Sequence, residues 1–195
     1  MTLLVGSFTI GLILALLALG VFISFRIFDV ADITVDGSLT LGASVTAALL
    51  VLSVDPITAT LAAPLCGFIA GAITGILHTK FRINALLSGI LVMTALYSVN
   101  LHIMGKSNIA LLSLRTLGSI YESYGSRVFG GTTITIASWQ LSARDLMMLI
   151  SSSGIVFLIS LILFWFFRTQ LGTAMRASGD NPQMIRSLGV NVENY

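Results

Sequence analysis

Long apolar runs constrain this chain more than any other feature: residues 3–25, 38–54, 57–77, 85–104 and 146–167 each read as a membrane crossing, the second being short. A helix spans the hydrocarbon of a bilayer in about 20 residues. With no water in that layer, every backbone N–H and C=O must be satisfied internally, so runs of this kind fold as helices. The expected fold class is all-α, a polytopic transmembrane helix bundle forming one domain over residues 1–195. Composition excludes the soluble alternative: hydrophobic residues make up 56% and charged residues 9% of the chain, against about 25% charged in soluble domains. The formal net charge of +2 gives no basis for binding nucleic acid. The first run has no positive residue before it and is long enough to span, so it reads as a mature helix from Leu3 onwards, not as a cleavable signal.

The charges sit at the ends of the runs and orient them. Lys80 and Arg82 follow the third run, and Arg168, Arg176 and Arg186 follow the fifth with a single Asp180 against them. Lys and Arg near the ends of spans are retained on the cytoplasmic side. The two assignments agree in parity. They put the Asp55–Pro56 turn and the stretch 105–145 outside, and the N-terminus outside too unless residues 27–40 re-enter the membrane without crossing it. The outer stretch carries Arg115, Glu122, Arg127 and Arg144 with Tyr121, Tyr124 and Trp139, and Thr133 and Thr135 alternate with Ile134 and Ile136 as in a short extended segment. A loop of this length usually has work to do: it reads either as an ordered cap on the outer face or as a landing place for an external solute-delivering protein.

Three carboxylates, Asp29, Asp32 and Asp36, lie between the first two runs beside Arg26, followed at once by Gly37 and Ser38. Ionisable residues at membrane depth are costly and tend to face a water-filled path or to pair with a neighbour. Irregular backbone is tolerated there only where protein or a cavity surrounds it. Gly37 and Ser38 look like the start of a half-helix whose amide end faces an anionic or zwitterionic ligand. Asp29, Asp32, Asp36, Gly37 and Ser38 are thus the candidate translocation-pathway residues, with a plain interfacial loop as the alternative. Gly67, Gly71 and Gly75, at four-residue spacing in the third run, predict close helix packing.

The last segment, 168–190, is a short amphipathic unit. Asp180 or Asn181 can cap exposed amides, Pro182 suits the first helical position and Gly189 suits the left-handed residue past the end. Met184, Ile185 and Leu188 then share one face of a helix only two turns long, too small to fold alone. Single Cys66 builds no disulfide framework, and His78 and His102 have no second ligand at metal spacing. The chain carries no phosphate-cradling G-x-x-x-x-G-K-[ST], no zinc-hydrolase cluster and no G-x-S-x-G nucleophile. No catalytic role and no cofactor are expected. Transport, if energised, draws on an ion gradient or on a separate ATPase. Spans almost free of charge fit an external motor better than a coupling-ion carrier.

The order of an opening span, the acidic-glycine segment from Asp32 to Gly42, glycine-rich spans and the segment 171–190 resembles permeases of bacterial ABC importers. The likeness is to the branched-chain amino-acid and ribose type, within it the branch for aromatic amino acids or related small solutes. It covers nearly the whole chain. The resemblance implies a multi-pass protein of the bacterial cytoplasmic (inner) membrane that works with a cytoplasmic ABC ATPase, an extracytoplasmic solute-binding protein and a second permease subunit, a homodimer being the simplest arrangement, all within membrane lipid. It also implies that 168–190 is a cytoplasmic coupling loop whose helix sits in a groove of the ATPase. The residues carrying that role are Gly172, Arg176, Gly179, Asp180, Asn181, Pro182, Met184, Ile185, Arg186, Leu188 and Gly189. Members of the family continue past this helix with further spans, so the resemblance implies a fragment of a longer permease or a partner polypeptide that completes it. An ion-driven secondary transporter and a non-transporting membrane scaffold are the alternatives.

Overall fold

The computed structural model describes residues 2–129, 131, 133–136 and 139–180. Its first helix, α1, runs over Thr2–Phe22 and continues as a π-turn, Ile23–Ile27. The next helices are α2 (Thr34–Val51), α3 (Pro56–Thr79) and α4 (Ala85–Met104). After α4 come α5 (Leu117–Phe129) and a hairpin of β1 (Thr133–Ile136) and β2 (Trp139–Ser142), then α6 (Ala143–Phe166) and α7 (Gln170–Asp180). Five of these helices are long and apolar enough to cross a membrane. The fold is an all-α polytopic bundle, as the runs predict.

The helix ends have local causes. At α3, the Asp55 carboxylate accepts from the Ile57 N–H at 3.1 Å and Pro56 takes the first position, where its missing N–H costs nothing. At α4, Asn84 Oδ1 accepts from the Leu86 N–H at 3.0 Å, and Gly105 closes the far end in the left-handed region at φ 65°. Between α1 and α2 the chain is broken over residues 28–33. The Phe28 N–H donates to the Ile23 carbonyl at 3.1 Å, the Val30 N–H donates to the Ser24 carbonyl at 3.1 Å and the Ser24 hydroxyl donates to the Val30 carbonyl at 2.9 Å. Asp29 makes the bend with φ 53°, a conformation Asp visits more readily than most residues.

Helix directions follow from the contacts. Gly20 of α1 approaches Val35 of α2, Thr34 meets Thr74, and Gly42 meets Ala63, so α2 is antiparallel to α1 and α3. Gly37 lies against Met93 and Leu96, and Ser44 bonds Asn100, so α2 and α4 run parallel. Residues 19–27 of α1 lie beside 160–168 of α6, so those two are parallel as well. Every crossing therefore alternates. Residues 27–40 are not a re-entrant loop: α1 and α2 are antiparallel neighbours joined by a break, and the N-terminus sits at the opposite end of the bundle from Lys80 and Arg168.

The core lies among α2, α3 and α4, where Leu41, Ala70, Val92 and Leu96 are buried with Val45, Cys66, Leu77 and Ile103 against them. Cys66 is thus a packing residue. A polar seam joins the same three helices. Thr34 and Thr74 share a 2.8 Å hydroxyl bond, Ser44 donates to Asn100 Oδ1 at 3.1 Å, and Asn100 Nδ2 donates to Thr40 at 3.0 Å. In hydrocarbon such bonds give helix pairs a register that apolar contact alone does not. The expectation for the glycine row is corrected: a Cβ at Gly67, Gly71 or Gly75 would meet nothing within 4 Å. The face of α3 that packs is the one bearing Ala70 and Thr74, because α2 engages the threonine seam there.

Candidate functional site

The acidic segment distributes its residues and does not converge them. Asp32 Oδ1 accepts from the Thr34 N–H at 2.8 Å and lies against Gly89 of α4, where an added Cβ would stand 3.3 Å from that oxygen and 3.0 Å from the Ile33 nitrogen. It is a half-buried turn former that starts α2. Asp29 is exposed at the bend, and Asp36 is exposed in the first turn of α2, where a carboxylate complements the helix dipole. Gly37 is buried; a Cβ there would stand 3.2 Å from both the Met93 Cα and the Leu96 Cδ1, so it lets α2 and α4 close. The half-helix expected from Gly37 and Ser38 is corrected: α2 starts at Thr34 and runs unbroken to Val51.

Ser38 is the one of the five that lines a cleft. With Gly42 and Thr46 of α2 it borders a space of about 670 Å³ between α1, α2 and α3, with Leu111 also in its lining. From Val35 to Ala47 the cleft follows α2 for about 18 Å at 1.5 Å per residue. Leu16, Leu17, Ala63 and Pro64 make its walls apolar, and Thr60 of α3 adds a hydroxyl. The Thr46 hydroxyl donates to the Gly42 carbonyl at 2.8 Å and the Thr60 hydroxyl to the Pro56 carbonyl at 2.8 Å, so both oxygens keep acceptor capacity. Pro64 has no N–H, which leaves the Thr60 carbonyl without its helical donor beside the same cleft. Ser38, Gly42 and Thr46 recur at four-residue spacing, the one signal in the sequence that could have found this face.

The segment 168–190, expected to couple to an ATPase, is described as far as Asp180. An eleven-residue helix, α7, stands where the sequence predicts only an amphipathic unit, and Asp180 still belongs to it. Gly172, inside α7, lets that helix lie close against the end of α6: a Cβ there would strike the Phe166 carbonyl. Gly179 abuts the Ile27 carbonyl and, at 3.1 Å from an added Cβ, the Phe28 Cα. Arg176 donates to the Phe167 carbonyl. The helix after α6 is thus seated directly on the break after α1. Asn181, Pro182, Met184, Ile185, Arg186, Leu188 and Gly189 lie outside the described residues.

At the other end of the bundle, α5 packs on α6. Tyr121 and Ser151 share a 2.6 Å hydroxyl bond, and Gly125 fits where a Cβ would stand 3.0 Å from the Ala143 carbonyl. The hairpin pairs Thr133 with Ser142 through to Ile136 with Trp139, so the alternation at 133–136 is a strand. Sequence reading missed α5, whose buried face rests on two glycines, Gly118 and Gly125.

Comparison with known proteins places this architecture. The family described as "Branched-chain amino acid transport system / permease component" matches residues 3–195. The chain belongs to that family. This permease component is 43% identical over 188 residues to the tyrosine transport system permease protein of Clostridioides difficile strain R20291, an alignment covering 96% of this chain and 56% of that protein. It is 34% identical over 195 residues to the uncharacterized protein RP368 of Rickettsia prowazekii strain Madrid E, covering 100% of this chain and 61% of that protein. The permease component therefore spans somewhat more than half the length of these relatives. No solved structure matches it.

Proposed function

We propose that this chain is the pathway-forming permease of an ATP-driven importer of the bacterial cytoplasmic membrane, and that its solute is an amino acid with an aromatic or apolar side chain. The observation that carries the reading is the family match over residues 3–195 together with the 43% identity to a permease named for tyrosine transport. ATP hydrolysis resides in a separate cytoplasmic ABC ATPase, an extracytoplasmic solute-binding protein delivers the solute to the outer α5 and hairpin, and a second permease subunit, a copy of this one, completes the pathway. The cleft beside Ser38, Thr46 and Thr60 supports this reading. Its hydroxyl and carbonyl oxygens can accept from an ammonium while its apolar walls take the side chain.

Residues 168–190 form the coupling loop. On this reading Met184, Ile185, Arg186 and Leu188 contact the ATPase, and Gly179 links α7 to the break at Ile27 and Phe28. Movement of the ATPase is then felt where α1 ends, and a difference in contact between the nucleotide states biases the bundle between two arrangements. Asp29, Asp32 and Asp36 shape the cytoplasmic end of the pathway and do not bind solute themselves.

The test is uptake of labelled tyrosine into proteoliposomes holding the full permease, its ATPase and its binding protein. Uptake is expected only with ATP on the ATPase side, and it is lost when Met184 and Arg186 are replaced while the spans stay inserted. Uptake driven by a proton or sodium gradient without ATPase would establish the secondary-transporter reading instead.

A further inference from the structure

Where α1 and α6 run out side by side, a groove of about 500 Å³ opens between them, its walls made by Leu19, Phe22, Ile23, Leu163 and Phe164. From Leu19 to Ile27 it follows α1 for about 12 Å. The chemistry changes sharply at its mouth, which carries Arg168 and Arg176. The Arg168 guanidinium carbon stands 4.7 Å from the centre of the Phe164 ring, and Arg176 reaches from α7 to donate to the Phe167 carbonyl. Both arginines are exposed, and each guanidinium has five N–H donors, of which one such bond uses few. None of the described lining residues is acidic. Trp165, 73% exposed on the same turn of α6, marks this level as the boundary where tryptophan concentrates at membrane surfaces.

We propose that this groove is a binding site for an anionic phospholipid, with its phosphate between Arg168 and Arg176 and one acyl chain along Leu19, Phe22 and Leu163. Direction and charge select this occupant. The groove runs parallel to the helix axes, as a lipid chain does, and is basic only at the end where a headgroup sits, the arrangement by which basic sites between transmembrane helices hold acidic lipids. A zwitterionic headgroup brings its own ammonium towards the two guanidiniums and is disfavoured. Since Arg176 belongs to α7 while the walls belong to α1 and α6, the bound lipid pins α7 to the end of the bundle. The inference is independent of the solute and of the motor.

The full-length protein in nanodiscs, probed with headgroup-labelled phosphatidylglycerol and phosphatidylcholine, tests it. The expected preference for phosphatidylglycerol is roughly thirtyfold for two arginines at the surface. It falls to near parity in Arg168→Gln/Arg176→Gln and persists in Arg168→Lys/Arg176→Lys. An unchanged preference in a folded glutamine variant overturns the proposal. A second measurement keeps both arginines: p-benzoylphenylalanine in place of Phe164 is expected to crosslink to lipid on irradiation. Crosslinking to polypeptide instead, whether a later segment of the chain or a second copy, shows a protein face and overturns the lipid assignment.

Discussion

The α2–α3–α4 unit and the α1–α6 pair are built from similarly apolar helices, yet they are held in different ways. In the first, a third of the α2 window is buried, and glycines admit neighbours to within ordinary contact while hydroxyls and one amide bond across helices. In the second, none of either window is buried and the two helices leave a groove between them. Hydrocarbon supplies no hydrophobic drive between helices, so what decides whether two spans close is shape and hydrogen bonding. The α2–α4 seam has both. The α1–α6 pair has no hydrogen bond between the two helices among the described residues, and it presents Phe157, Ile162 and Phe164 to its surroundings.

That contrast can be broken by substitution. Gly89→Leu is expected to have the largest effect, because a Cβ at Gly89 already stands 3.0 Å from the Ile33 nitrogen and the rest of the side chain has no room. Overpacking of this kind costs about 1–3 kcal/mol or more, and thermal unfolding in detergent should show a clearly lowered midpoint or an aggregated product. Gly179→Val comes next. Its side chain meets the Ile27 carbonyl, so α7 is expected to lift off the break, seen as faster proteolysis at Arg176 with α1–α6 unchanged.

Asn100→Leu removes the bonds to Ser44 and Thr40, each of which keeps a backbone acceptor of its own, at Leu41 and Gly37. At about 0.6 kcal/mol per interhelical bond in a membrane protein, a loss of about 1 kcal/mol is expected from reversible unfolding in mixed micelles. A loss above about 3 kcal/mol would mean that the seam does more than set register. Tyr121→Phe should cost about as much as one such bond and loosen only α5, read as faster hydrogen exchange over Leu117–Phe129. Gly71→Leu sharpens the comparison from the other side. Nothing lies within 4 Å of a Cβ there, so its unfolding midpoint should match the unmodified chain, and a drop equal to that of Gly89→Leu would erase the distinction between packed and unpacked glycines.

The sequence was most legible where one physical demand dominated. α4 is found at the expected residues, since Asn84 and Gly105 are strong local stop signals at both ends of an apolar run. α2 begins four residues earlier than its apolar run, because the Asp32 carboxylate and the Thr34–Thr74 bond stabilise a first turn that hydropathy scores as polar. Glycine spacing misled on α3, since a repeat of small residues shows that a helix can be approached and not that a neighbour is there. The acidic segment was recognised as unusual, but the roles of its members depend on α4: Asp32 and Gly37 are explained by Gly89, Met93 and Leu96. The cleft beside Ser38 was missed, because its other side comes from residues of α1 and α3 far away in the chain.

By itself the sequence determined that this chain lives in a membrane, where its helices cross, and which ends share a side. Those properties follow from transfer energies and backbone satisfaction, which act residue by residue along a segment. The tertiary structure decided which face of each helix meets another, that α7 rests on the break after α1, and where cleft and groove open. Those depend on whether side chains distant in the chain fit and bond across hydrocarbon, and pairwise fit is not written in any one segment.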